Sequence, residues 1–264
     1  MKTILELLHL STHFLEERGV ERPRRSAEEV VAFALGKKRL DLYLEHDRPI
    51  SEEELVKCRA CLKRRGTGEP VPYIVGEVEF AGVTLEVNRN VLIPRIETEL
   101  LVEKISSKGI LWDVCCGSGA LGIALKKRYP DLQVTLSDIS EEALAVAKRN
   151  AQRNQVEVEF RQGDFLEPFV GEKCDILVCN PPYVTEEEFK NLSPEVRLFE
   201  PKLALVGGLA FYERLAKADH YGTLYCEIGA KQGATIKKLF GGGTVEKDLS
   251  GLDRFFIYSY GSIG

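Results

Sequence analysis

Apolar residues in the first 70 positions recur three and four apart. Ile4, Leu5, Leu7, Leu8, Phe14 and Leu15 form one stripe, and Val30 to Leu35 form a second that Gly36 stops. This is the period of helices with one buried face. Ser26-x-x-Glu29 and Ser51-x-x-Glu54 have the form of capping boxes and set two helix starts, the second helix running to Gly66. Past the breaker-rich stretch Gly66-Thr67-Gly68-Glu69-Pro70 the period shortens to two. Alternation over 73–80 and 83–87, broken by Ala81-Gly82, predicts a β-hairpin. A loop with clustered charges at 92–99 then precedes a helix over 100–106. From Ile110 onward short apolar runs alternate with helical segments. Strands are expected at 110–114, 133–137, 156–160, 175–179 and 221–228, with a closing antiparallel pair at 244–248 and 255–260. That alternation marks a doubly wound α/β domain with a mainly parallel sheet. The expected organisation is a helical bundle over 1–70, a hairpin linker over 71–90 and an α/β domain over 91–264.

Composition narrows the class. The 264 residues are 44% hydrophobic and 29% charged, as in ordinary globular proteins. A net charge of −5 speaks against a protein that grips a long duplex. The sequence opens without a secretory leader and holds no apolar run of membrane length, so a cytoplasmic protein is expected. Seven cysteines are an odd number, and Cys174, Cys179 and Cys226 lie within apolar strands. They read as reduced, buried thiols. Cys58-x-x-Cys61 has no second pair to complete a metal site, and none is expected.

The chemistry gathers just past the strands, where open α/β sheets bind their ligands. Strand 175–179 runs into Asn180-Pro181-Pro182-Tyr183. The prolines stiffen the loop and remove its donors. The Asn180 side-chain oxygen and the Pro181 carbonyl are two acceptors, and Tyr183 offers a flat aromatic face. Together they suit a planar –NH₂, as in a carboxamide or adenine. Strand 110–114 runs into Gly117-Ser118-Gly119-Ala120-Leu121-Gly122, which satisfies G-x-G-x-x-G, and Asp138 follows at the spacing of a ribose-binding acid. NAD and S-adenosyl-L-methionine share that adenosine chemistry. Three features favour the methyl donor. Asp113 precedes the loop, where an acid repels pyrophosphate but attracts the methionine ammonium. Asp164 and Phe165 supply an acceptor and a ring for adenine. Asn-Pro-Pro-Tyr has no part in hydride transfer. An amino-purine methyltransferase acting on rRNA or DNA, a non-catalytic adaptor keeping the fold as scaffold, and an NAD-dependent enzyme remain as rivals.

With Asp113-x-x-x-Gly117-Ser118-Gly119 and Asn-Pro-Pro-Tyr in place, the chain resembles class I S-adenosyl-L-methionine-dependent methyltransferases that modify exocyclic or amide nitrogens. Flanking text narrows the resemblance: 68–76, Leu92-Ile93-Pro94-Arg95-Ile96-Glu97-Thr98-Glu99, Phe199-Glu200-Pro201 and Glu227-Ile228-Gly229 together are similar to the PrmC/HemK family, the glutamine methyltransferases of peptide chain release factors. The resemblance spans nearly the whole chain. It implies a Rossmann-like domain with a mostly parallel seven-stranded sheet, preceded by a helical domain that docks the protein substrate. It also implies methylation of the glutamine amide nitrogen in a Gly-Gly-Gln loop of class I release factors, with no direct nucleic-acid or membrane partner. By that likeness the cofactor lies at Asp113, Cys115, Cys116, Gly117, Ser118, Gly119, Asp138, Asp164, Phe165 and Asn180. Asn180, Pro181, Pro182 and Tyr183 hold the glutamine, Asn180 and Pro181 acting catalytically. Three departures stand out: Cys115-Cys116 where the family usually has Gly-Thr, Ile96 for a usual proline, and a shortened Gly207-Gly208-Leu209.

Overall fold

The computed structural model describes residues 2–105 and 108–260. The chain forms two compact units, Met1–Gly76 with Ser193–Phe199, and Glu77–Leu192 with Glu200–Gly264. In the first, helices Ile4–Glu16, Pro23–Ala34 and Glu52–Gly66 bury the predicted stripe, with Ile4, Leu8, Val31 and Cys58 in its core. Ser51 caps as expected: its Oγ accepts from the Glu54 amide, and the Glu54 carboxylate accepts from the Ser51 amide at 2.9 Å. Ser26 does not cap. Pro23, preset for the first helical position, starts that helix a turn earlier. The buried Ser26 hydroxyl instead accepts from Arg65 Nε, and Arg65 pairs with Glu195 at 2.8 Å. Residues 71–75 form a short helix, Val71–Val75, so the hairpin begins later than the alternation suggested.

The second unit opens with the hairpin β1 (Glu77–Phe80) and β2 (Val83–Glu86). Phe80, Val83 and Leu85 enter its core, and Asn150 accepts from the Glu86 amide and donates to the Glu86 carbonyl. Seven further strands form one sheet: β3 (Ile110–Val114), β4 (Gln133–Asp138), β5 (Glu159–Gln162), β6 (Cys174–Cys179), β7 (Tyr221–Glu227), β8 (Thr244–Lys247) and β9 (Asp253–Ser259), in the order β5-β4-β3-β6-β7-β9-β8. β3 to β7 are parallel and β9 is antiparallel to both neighbours. This is a doubly wound, Rossmann-like α/β fold. β5 starts three residues later than expected, because Gln155 adopts φ +57° as the preceding helix closes. The helix expected over 100–106 runs from Ile96 to Lys104, its first turn carrying Glu97 and Glu99, which suit a helix N-terminus. Its expected end at Ser106 lies outside the described residues.

Strand alternation sends side chains to two cores. Leu111, Leu136 and Val178 meet the helices Ala120–Arg128 and Glu141–Arg153, while Trp112, Leu177 and Leu224 meet Phe169, Tyr212 and Ile236. The chain winds one way from β3 through β4 to β5 and the other way through β6 to β7. The crevice at this switch point is where such sheets bind ligands. Val114 pairs with both Ser137 and Cys179, and Cys179 with Cys226. Residues 115 and 180 therefore leave the sheet level with Asp138 and Glu227, the last residues of β4 and β7. Among the described residues no helix is long and apolar enough to cross a membrane.

Candidate functional site

A cavity of about 400 Å³ opens at that carboxyl edge, within the range of small-molecule sites. Its wall takes Cys115 to Ser118 after β3, Asp138 at the end of β4 with Ile139 and Ser140 after it, Gly163 to Phe165 after β5, and Asn180 and Pro182 after β6. Asp113 and Thr98 also reach it. Gly119, Pro181 and Tyr183 are not on the wall.

The glycine loop turns by left-handed residues. Gly119 holds φ +81° before the helix Ala120–Arg128, where a Cβ would stand 2.7 Å from Ile123 Cδ1; its role is close packing. Cys115 also lies in the left-handed region, at φ +60°, a geometry that costs a side-chain-bearing residue roughly 1–2 kcal/mol. The loop thus keeps a glycine-type turn at a cysteine.

Two carboxylates face the cavity. Asp138 Oδ2 accepts from the Gly117 amide at 2.8 Å and Oδ1 from the Ser140 amide at 3.0 Å. Each oxygen keeps lone-pair capacity for a ligand hydroxyl. Burial pushes the Asp138 carboxyl up, against the pull of those amides. Asp113 is 1% exposed and accepts from the Gly122 amide at 2.8 Å. Burial, with the Asp138 charge adding, pushes its carboxyl up to about 7.

After β5 the arrangement departs from a free adenine acceptor. Arg214 pairs with Asp164 through both terminal guanidinium nitrogens, at 3.1 and 3.0 Å, and its guanidinium carbon lies 4.3 Å from the Phe165 ring centroid. Phe165, at φ +59°, meets Phe211 edge to face. Arg214 lies fifty positions from Asp164, and no local signal marked it.

Asn180 is half-buried at the end of β6. Neither its side chain nor the Pro181 carbonyl has a hydrogen-bond partner among the described residues. The Asn180 side chain is therefore an unsatisfied acceptor on the cavity wall, and the next residue, Pro181, is buried off that wall with its carbonyl unpaired. The following residues are anchored: the Val184 amide donates to the Leu205 carbonyl, and the Gly207 amide to the Val184 carbonyl. Gly207 lies so near that a Cβ there would stand 2.2 Å from the Pro182 oxygen. Tyr183 does not present its ring to the cavity as expected. The ring packs against the Trp112 core, and its hydroxyl donates to Glu227 Oε1 at 3.0 Å. The buried carboxylate draws the hydroxyl inward. Glu200, also buried, accepts from the Ile93 amide at 3.1 Å and from Arg95 at 2.6 Å, which holds the loop bearing Leu92 and Pro94 on the cavity rim.

Family models match most of the chain: the PrmC N-terminal domain over residues 6–76 and the methyltransferase small domain over 95–198. Among curated proteins, the release factor glutamine methyltransferase of Chlamydia trachomatis serovar D is 43% identical, covering 96% of this chain and 92% of that protein. That of Bacillus subtilis is 41% identical and covers 96% of each. Among solved structures, a methyltransferase from Pyrococcus furiosus superposes with a TM-score of 0.52 at 18% identity, over 68% of this chain and 90% of that one. This last likeness concerns the fold alone.

Proposed function

The chain belongs to the family of release factor glutamine methyltransferases, and from that premise we propose that it methylates the side-chain amide nitrogen of the glutamine in the Gly-Gly-Gln loop of class I release factors. It is an S-adenosyl-L-methionine-dependent methyltransferase. The observation that carries the finer reading is the Asn180 side chain, an unsatisfied acceptor on the wall of the switch-point cavity, followed in the chain by the unpaired carbonyl of the buried Pro181. Nucleic acid and membrane have no part in this reading, and the enzyme works in the cytoplasm beside its substrate.

The residues present fit the methyl donor. Asp138 offers acceptors for two ribose hydroxyls, Asp113 offers negative charge to the methionine end, and Phe165 offers a ring to the base. When bound, S-adenosyl-L-methionine supplies a methyl group made electrophilic by its positively charged sulfur. An amide nitrogen is a weak nucleophile because its lone pair is delocalised into the carbonyl. The protein must therefore work by orientation. The Asn180 oxygen and the Pro181 carbonyl each accept one amide N–H, fixing the plane of the group. The same dipoles stabilise positive charge as it grows on nitrogen. Such positioning can supply about 7–11 kcal/mol in favourable cases. No strong base is needed beforehand, since the proton leaves once the nitrogen has become acidic.

The direct test incubates purified release factors with labelled S-adenosyl-L-methionine and maps the product by mass spectrometry. One methyl group on the Gly-Gly-Gln peptide is expected; label in RNA or DNA instead overturns the reading.

The raised Asp113 carboxyl makes cofactor binding pH-dependent. In the free protein the group is neutral below about pH 7 and ionised above it. A cationic cofactor favours the ionised form, so binding at low pH must first expel a proton. Affinity is expected to fall about tenfold between pH 8 and pH 6, and Asp113→Asn to remove the dependence. Calorimetric titrations across that range check it; a flat wild-type profile sinks the assignment.

A further inference from the structure

One buried carboxylate near the acceptor corner has no part in the chemistry above. Glu227 closes β7 at the level where Asn180 leaves β6, since Cys179 and Cys226 are paired in the sheet. It is 1% exposed. Its Oε1 accepts from the Tyr183 hydroxyl at 3.0 Å and its Oε2 from the Thr98 hydroxyl at 2.6 Å, while its backbone carbonyl accepts from Tyr212 at 2.8 Å. Thr98 belongs to the cavity wall and Tyr183 is the last residue of the acceptor corner. A second clamp sits on the same residue: Gln232 Nε2 donates to the Tyr183 carbonyl at 2.9 Å, and Gln232 Oε1 accepts from the Gly229 amide at 2.9 Å.

Burying a carboxylate costs several kcal/mol, and apolar residues of similar volume often serve stability as well or better. Burial does push the Glu227 carboxyl up, with the two hydroxyls and the Arg254 charge opposing that shift. An acidic group kept there is better explained by what it orients. The loop holding the two acceptors has no hydrogen-bond donors of its own at Pro181 and Pro182, so its geometry must be imposed from behind.

We propose that Glu227 is a positioning residue for methyl transfer, holding the Asn180–Tyr183 corner through the Tyr183 hydroxyl and the cavity wall through Thr98. The inference rests on the release factor reading above and deepens it. Glu227 does not touch the reacting atoms; it sets where the acceptors stand. A misplacement of about 1 Å can cost a hundredfold in rate, whereas the cofactor's ribose site lies on other loops. Loss of the clamp should therefore lower kcat and spare cofactor binding.

The experiment measures kcat and KM for methyl transfer to a purified release factor, with cofactor Kd by calorimetry, in the full-length protein and in Tyr183→Phe, Glu227→Ala and Glu227→Gln. Tyr183→Phe and Glu227→Ala should each lower kcat about thirtyfold, with cofactor Kd and release-factor KM within about threefold. Glu227→Gln keeps an oxygen to accept from Tyr183 and an amide to donate to Thr98, and should recover to within about threefold of wild type. Tyr183→Phe deletes a single hydroxyl and serves as the decisive variant should Glu227→Ala fail to fold. The proposal is overturned if Tyr183→Phe keeps wild-type kcat, if cofactor Kd rises in step with the loss of kcat, or if Glu227→Gln is no better than Glu227→Ala. Wild-type protein that leaves the release factor unlabelled overturns the substrate reading itself, and the inference with it. Labelled product from wild type beside unaffected variants overturns the inference alone.

Discussion

Asn180→Ala is expected to lower methyl transfer to a release factor by about a thousandfold, with S-adenosyl-L-methionine affinity within about threefold of wild type. The size follows from what the side chain does. In the proposed complex it is an acceptor that fixes the amide plane and meets the charge developing on nitrogen, and removing one preorganised dipole of this kind costs about 10²–10³ in rate. Its backbone neighbours stay in place, because Val184 and Gly207 anchor the loop independently of the Asn180 side chain. Cofactor affinity is expected to be spared because the proposed ribose and methionine contacts are those of Asp138 and Asp113, on β4 and β3, and not of Asn180. Single-turnover rates at saturating cofactor, alongside calorimetric Kd, separate the two quantities. A variant that transfers methyl groups at near wild-type rates removes Asn180 from the mechanism. One that fails only because cofactor no longer binds moves Asn180 from the transfer step to cofactor holding.

The residues that could be read from sequence are those adjacent in the chain to an apolar run. Asp138 and Asn180 each follow a buried strand directly, so the strand pattern placed them at the carboxyl edge, and the structure brings them to one cavity. What escaped was long-range pairing. Nothing near Tyr183 announces that Glu227, 44 positions later, will take its hydroxyl, so an aromatic in a binding motif was read as facing the ligand. Arg214 likewise reaches Asp164 only through the fold. Glu200 and Glu227 were visible as family text but had no role until the sheet placed Ile93, Arg95 and Thr98 beside them. Helix starts failed where two signals competed: Ser26 and Glu29 spell a capping box, yet Pro23 begins the helix, because a fixed φ at the first helical position decides before a side chain can cap. The hairpin failed at its leading edge for a related reason. Pro70 and Pro72 favour a helical turn over 71–75, although the side chains alternate.

Asp138→Ala is expected to act on the other half of the reaction, raising the dissociation constant for S-adenosyl-L-methionine by at least about a hundredfold. Hydrogen bonds to an ionised group contribute about 1.5–3 kcal/mol each, and two ribose hydroxyls donate to this carboxylate in the proposed complex. Part of the loss comes through the protein: Asp138 also accepts from the Gly117 and Ser140 amides, so its removal loosens the loop that the cofactor must meet. Asp138→Asn separates these contributions. Its amide oxygen can still accept one such bond, while its –NH₂ faces a backbone donor with which it cannot pair. Its affinity should lie between those of wild type and Asp138→Ala. At cofactor concentrations well above the new dissociation constant, Asp138→Ala should regain a large share of wild-type kcat, because Asn180 and Pro181 are untouched. Unchanged affinity in Asp138→Ala would refute the ribose assignment. Restored binding with no restored turnover would show instead that Asp138 shapes the acceptor corner as well as the cofactor site.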